Sequence, residues 1–281
     1  MTATTATPAP AGTGARPPSL PSVCLVRSRV ELTTFLRERE SVVFTFAFPI
    51  ILLVVFGAAF GGQDVDGGVT FAQYFVAGMI AAGLFGSSFQ NLAIAIPIER
   101  DSGALKRLAG TPMPGPAYFA GKIVLVAVVS LVQNLLLLAI GVMFYGLELP
   151  SSADRWATYL WVGVLGIGTC TLLGIAATGL VKDGRTAPAI ISPIAIVLQF
   201  SSGVFFVFAD LPAWMQSTAA LFPLKWMTQG MRSVFLPDVY ARQEPAGSWE
   251  HGRIALVLCV WLVVGLAVAV RTFRWRNKAD G

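Results

Sequence analysis

Side chains that could carry catalytic chemistry are few and scattered in this 281-residue chain. The single histidine, His251, stands beside Glu250 in a predicted loop, without the converging partners that a hydrolase site needs. The three cysteines, Cys24, Cys170 and Cys259, are far apart and odd in number, which argues against a zinc site or a disulfide framework. The sequence therefore predicts no catalytic residue and no metal site.

A nucleotide site is not predicted either. The string most similar to a phosphate-binding loop runs from Gly115 to Lys122, but it has one residue too many between its glycines. It also continues with Ile123, where such a loop needs Ser or Thr to reach Mg²⁺. We therefore expect this chain to bind no ATP and no other cofactor by itself.

The most informative charged segment is 99–116, which reads Glu-Arg-Asp-Ser-Gly-Ala-Leu-Lys-Arg-Leu-Ala-Gly-Thr-Pro-Met-Pro-Gly-Pro. Its first part predicts a short charged helix with Leu105 and Leu108 on one side, and the Gly and Pro residues then end that helix. A solvated connector is one interpretation. The pairing of a compact apolar stripe with a rigid break favours the other, a docking element whose leucines are buried against a partner.

This segment, followed by Gly121 and Lys122, resembles the cytoplasmic loop of ABC type-2 permeases, and the multidrug-export branch with its daunorubicin-resistance permeases is the most similar. The resemblance extends over about 25–275. It implies that the loop is the coupling helix that docks on a separate ATPase, which would bind ATP and Mg²⁺. The matching positions are Glu99, Arg100, Gly103, Leu105, Lys106, Arg107 and Leu108.

The resemblance also implies a complex of two permease protomers, identical or different, with two ATPase subunits. Spans one, two and five of the family line the interface between protomers. Uncharged amides, hydroxyls and aromatic rings in those spans suit a small hydrophobic or amphipathic substrate, although helix packing and lipid contact are the alternative roles. The candidate path residues are Phe44, Phe46, Phe48, Gln90, Asn91, Gln199, Phe200, Ser201, Ser202, Phe205 and Phe206.

Composition indicates which elements must position these residues. The chain is 55% hydrophobic and only 12% charged, with a mean hydropathy of +0.70, so a lipid bilayer is its expected solvent. Charge-free stretches near the roughly 20 residues of a membrane span predict an all-α polytopic protein with six transmembrane helices. These spans are predicted at about 43–61, 71–98, 117–147, 156–180, 187–209 and 254–270.

Lys and Arg residues give the expected orientation. Of the 20, 15 flank the spans on the side that holds both chain ends and the 99–116 loop, and five flank the other side. Positive residues accumulate on the cytoplasmic side, so both termini are predicted there. The bases stand in short clusters between apolar runs, a pattern that predicts no nucleic-acid partner.

The segments outside the spans divide the chain further. Residues 1–22 are predicted to be a disordered cytoplasmic tail, because they are rich in Thr, Ala, Pro and Gly. Residues 23–40 are predicted to form an amphipathic connecting helix at the membrane interface, before the six-helix domain at 41–275. The last external loop, 209–252, is predicted to hold two short re-entrant helices.

The sequence thus predicts an ABC export permease of the bacterial inner membrane, without catalytic activity of its own. The same machine could instead export a lipid-linked polysaccharide or a cell-wall precursor. A membrane scaffold or immunity protein, which transports nothing, is an alternative from another class. A stand-alone proton-coupled carrier is disfavoured, because no ionisable residue lies deep in a predicted span.

Overall fold

The computed structural model describes residues 19–65, 68–111 and 113–273. Within these ranges the chain forms helices and turns and no β-strand, apart from one isolated bridge between Asp64 and Thr70. The α-helices are α1 Leu20–Arg37, α2 Arg39–Phe60, α3 Phe71–Phe85, α4 Asn91–Asp101, α5 Ala104–Ala109, α6 Gly115–Tyr145, α7 Ala153–Ala177, α8 Ala187–Ser201, α9 Ala213–Ala219, α10 Pro223–Phe235 and α11 His251–Thr272. The all-α prediction is therefore confirmed for the described residues.

Five helices in the described part of the chain are long and apolar enough to cross a membrane. They are α2, the continuous helix Phe71–Asp101, α6, α7 and α11. The second of these joins α3 to α4 through a π-helical turn, Gly86–Gln90. We call the end of the bundle that carries α5 the charged-loop end, and the end that carries α9 and α10 the opposite end.

The fifth predicted span is shorter than expected. The charge-free stretch 187–209 forms a helix, α8, only as far as Ser201. Gly203 then adopts a left-handed backbone conformation, with φ of 72°, which turns the chain away from the helix axis. The 15 residues of α8 span about 22 Å, less than the roughly 30 Å hydrocarbon core, so the count of six spans stays a prediction.

The N-terminal helix begins earlier than predicted. α1 starts at Leu20, with Pro21 in its first turn where a missing N–H costs nothing, so the predicted tail 1–22 is wrong at its end. Residues 1–18 of that tail lie outside the described residues. α1 ends at Arg37, and after Glu38 the chain enters α2, which corrects the predicted boundary at 40.

The segment 209–252 does contain two short helices, α9 and α10. Every residue of α10 is buried, and the helix packs against α3, α7 and α11. Gly166 permits this approach, because a Cβ there would lie 2.7 Å from the Cε of Met227. Helix α10 is therefore part of the core of the bundle, and two of its charges, Lys225 and Arg232, are buried with it.

Candidate functional site

The 99–116 segment folds at the charged-loop end as the sequence predicts, with a short helix between two breaks. Gly103 ends α4 in a left-handed conformation, with φ of 72°, and α5 runs from Ala104 to Ala109. Glycine is the residue that takes this backbone conformation without strain. The left-handed residue changes the direction of the chain between α4 and α5.

A buried lysine holds this loop to the bundle. Lys122, at the start of α6, is 2% exposed and forms ion pairs with Glu99 of α4 and Glu31 of α1. The distance from its Nζ to the Glu31 Oε2 is 2.9 Å. Tyr118 donates a hydrogen bond of 2.9 Å to the Glu99 Oε2. Four side chains thus join three helices that are distant in sequence.

Arg27 completes this group, which we call the charged-loop network: Arg27, Glu31, Glu99, Tyr118 and Lys122. Arg27 pairs with Glu31, and its guanidinium carbon lies 5.4 Å from the centre of the Tyr118 ring. The network was not predicted beyond Glu99 and the Gly-Lys pair. The signal for it in the sequence was Glu31, the one acidic residue of α1.

Arg100 and Asp101 tie the end of α4 to the turn that follows α7. Arg100 donates a hydrogen bond of 2.6 Å to the carbonyl oxygen of Val181, and the Asp101 carboxylate accepts one from the backbone N–H of Gly184. Arg100 therefore anchors the loop from a second side. Its predicted part in docking on an ATPase stays a prediction.

The predicted apolar docking stripe is wrong for Leu105. Its side chain is fully buried in the chain's own core, where it joins a cluster with Ile96, Tyr118 and Val126. Leu108 is half-buried against the same cluster. A helix of six residues has one apolar side, and that side is already occupied by the bundle. The face left exposed carries Lys106, Arg107 and Ala109.

Because Leu105 is a core residue, Leu105→Ala is expected to lower the free energy of unfolding by about 2–5 kcal/mol. Thermal unfolding of the purified chain in detergent, together with its abundance in the membrane, measures this. Leu180→Ala is the matched control, since Leu180 is 69% exposed at the same end. Equal stability of the two variants would contradict the packing of α5 described above.

Some of the predicted path residues come together at the opposite end. The rings of Phe200 and Phe205 lie 4.6 Å apart, and those of Phe200 and Phe206 lie 5.9 Å apart. Ser202 is buried, and its carbonyl oxygen accepts a hydrogen bond of 2.9 Å from Thr228. These residues belong to the end of α8 and the turn after it.

The other path residues lie elsewhere. Gln90 and Asn91 are half-buried where the π-helical turn meets α4, and α8 packs beside both elements. Phe44 and Phe48 are 74% and 52% exposed near the start of α2, remote in the fold from the Phe200 group. Phe46 packs on Phe35 of α1, with ring centres 6.3 Å apart. A role for these residues in transport stays a prediction.

Long apolar helices, joined at one end by buried ion pairs beside a short charged helix, define a multi-pass helical membrane protein. The pattern of the ABC-2 type transporter family matches residues 23–236, most of the chain, and the protein belongs to this family. The match begins in α1 and ends just after α10. It therefore includes the charged-loop network in full.

Named relatives agree with this family. The chain is 26% identical over 243 residues to a daunorubicin resistance ABC transporter permease protein of Streptomyces coeruleorubidus, covering 82% of this chain and 77% of that one. It is 26% identical over 258 residues to a probable doxorubicin resistance permease of Mycobacterium tuberculosis, covering 88% and 87%. A putative transport permease of Cyanophora paradoxa is 24% identical over 193 residues, or 66% of this chain and 65% of that protein.

Proposed function

We propose that this chain is the transmembrane permease subunit of an ATP-driven exporter that moves a hydrophobic or amphipathic compound out of the cell. The packing of α5 on the bundle is the observation that supports this proposal best. One side of the α5 region is fixed to α1, α4 and α6 through Leu105 and the charged-loop network, and the other side is exposed. A helix held in this way can transmit a movement of a bound partner to several long helices at once.

The proposed partner is a separate ATPase, two copies per complex, which binds ATP and Mg²⁺ and drives alternating access in a pair of permease protomers. The exposed side of α5 carries Lys106 and Arg107, so we expect an acidic groove on the ATPase to receive it. Names of relatives that refer to drug resistance support a drug-like or natural-product substrate for this chain.

The experiment for this proposal is co-purification with candidate ATPases, followed by substrate-stimulated ATP hydrolysis in lipid. Lys106→Glu with Arg107→Glu is expected to weaken ATPase association about tenfold, because it places acids against an acidic groove. Membrane abundance should not change, since both side chains are exposed. Arg242→Glu, an exposed change at the opposite end, is the control.

Two results would contradict the proposal. The first is robust ATP hydrolysis by the pure chain alone, once contaminating ATPases are excluded. The second is normal ATPase binding and normal export by the double Glu variant, which would make α5 a solvated connector. Inspection of the neighbouring genes is an inexpensive further test. An adjacent gene for an ATPase would support the proposal. Adjacent glycosyltransferase genes would favour a polymer substrate instead.

Orientation is part of the proposal: six spans, both termini and α5 in the cytoplasm, and α9 and α10 toward the outside as re-entrant elements of the bacterial inner membrane. A membrane-impermeant thiol reagent tests it on variants without the native cysteines. A cysteine at Ser248 should be labelled from outside the cell, and one at Ser102 should not. Both positions are exposed, so a difference in labelling cannot result from burial of either cysteine. Reversed labelling would overturn the orientation.

A further inference from the structure

A cavity of about 490 Å³ opens at the opposite end of the bundle, away from the charged loop. Four segments form it: the end of α2, the chain leading into α3, the turn after α8, and the short helical stretch Asp238–Gln243. Its volume is within the range of roughly 300–1,000 Å³ that ordinary small-molecule sites have. The cavity is thus large enough for a drug-sized molecule.

Six of the described residues that line the cavity are aromatic. Those on the lining are Phe56, Phe60, Phe71, Phe205, Phe206 and Tyr240. The rings are in contact with one another: the centres of Phe56 and Phe205 are 6.0 Å apart, and those of Phe60 and Phe71 are 5.8 Å apart. Because Phe205 also stacks near Phe200, the aromatic surface continues from the candidate path residues of α8 into the cavity.

The charge of the lining has one sign. Asp64 and Asp210 line the cavity, and among the described residues its lining has no Lys, Arg or His. Among the residues that the structure describes, neither carboxylate forms an ion pair, and both are exposed. The amides of Gln63 and Gln243 add neutral hydrogen-bonding groups. Aromatic faces and carboxylates both attract cations, and the guanidinium behind the wall, that of Arg232, is paired with Glu244.

The wall of the cavity is held in place from behind. The backbone N–H of Phe208 donates a hydrogen bond of 2.9 Å to the Tyr74 hydroxyl, and Arg232 donates one to the carbonyl oxygen of Gly203. Arg232 is itself paired with the buried Glu244 at 3.1 Å and lies over the Tyr74 ring at 4.2 Å. The turn that carries Phe205 and Phe206 is therefore fixed before any ligand arrives.

We propose that this cavity binds an amphipathic organic cation with aromatic rings, whose charge lies near Asp64 and Asp210 while its rings pack on the phenylalanines. This inference rests on the proposed function, because it names the class of compound that the exporter would carry. In the proposed orientation the cavity opens toward the outside, so the bound cation is the exported compound at its point of release.

The test measures binding of tetraphenylphosphonium, a cation with four aromatic rings, to the purified full-length chain in lipid nanodiscs. Tetraphenylborate, which has the same shape and the opposite charge, is the matched ligand control. We expect saturable binding of the cation only. Asp64→Asn with Asp210→Asn should weaken it about tenfold, and Phe60→Leu should weaken it as well.

Glu148→Gln with Asp154→Asn is the matched control variant, because it removes two exposed carboxylates at the same end that do not line the cavity. Equal weakening by this pair, equal binding of tetraphenylborate, or no saturable binding of the cation would each overturn the site. The experiment distinguishes the proposed cation site from the proposed exporter function. If the chain binds an ATPase but not the cation, the proposed function stands and the site does not. Cation binding by a chain that associates with no ATPase would support the site and contradict the exporter.

Discussion

Lys122→Met is expected to lower the free energy of unfolding by about 3–5 kcal/mol, the usual cost of removing one partner from a buried ion pair. Glu99 would lose its cation, and Glu31, 6% exposed, would keep only Arg27, so the network would hold two carboxylates and one guanidinium. We also expect loss of ATPase-driven export, because α6 would lose its ion pairs to α1 and α4. Thermal unfolding in detergent and export in vesicles measure the two effects.

Lys182→Met is the matched control, since Lys182 is an exposed lysine at the same end of the bundle. A double variant, Lys122→Met with Glu99→Gln, restores the charge balance of the network, because Arg27 still pairs with Glu31. It should recover most of the stability while export remains impaired, which separates the structural role of the network from its role in coupling. If Lys122→Met unfolds at the same temperature as Lys182→Met, the network does not stabilise the fold.

Arg232→Met is expected to have an effect of similar size, about 3–5 kcal/mol, at the opposite end. Arg232 is fully buried, and its loss would leave Glu244, 4% exposed, without its ion-pair partner. The carbonyl oxygen of Gly203 would also lose the shorter of its two hydrogen bonds and keep only the one from the Tyr74 hydroxyl at 3.4 Å, so the turn that carries Phe205 should become more mobile. Thermal unfolding measures the first effect, and hydrogen exchange of residues 203–208 measures the second.

Arg242→Met serves as the control for this variant, because Arg242 is an exposed arginine in the short helical stretch that follows α10. Adding Glu244→Gln to Arg232→Met removes the unpaired acid, so the double variant should be more stable than the single one. A double variant that is no more stable than Arg232→Met would show that the pair contributes packing rather than charge balance.

Much of the helical plan could be predicted from where charge is absent, because a membrane span excludes charges and needs a minimum length. The limits of the spans were harder. The stretch 187–209 is free of charge throughout, yet the helix ends at Ser201 because Gly203 takes a left-handed turn. Charge alone could not reveal this, since a glycine can lie inside a helix or end it.

The side-chain partners could not be predicted, because they depend on which helices lie side by side. Glu31, Glu99 and Lys122 stand on three helices, and no local pattern marks them as neighbours. The same limit explains Leu105: its helical spacing showed an apolar side but not which molecule covers it. Lys225 and Arg232 were counted as loop charges, whereas the structure buries them within α10.

The charged-loop network has a consequence for the construction of hybrid permeases. A loop 99–116 transplanted from a relative would bring its own residue at position 99, while Glu31 and Lys122 would stay with the host. Such a chimera would join charges that were never matched to each other. The exchangeable unit is therefore larger than the loop: it includes α1 and the first turns of α6, three pieces of sequence that must be moved as one module.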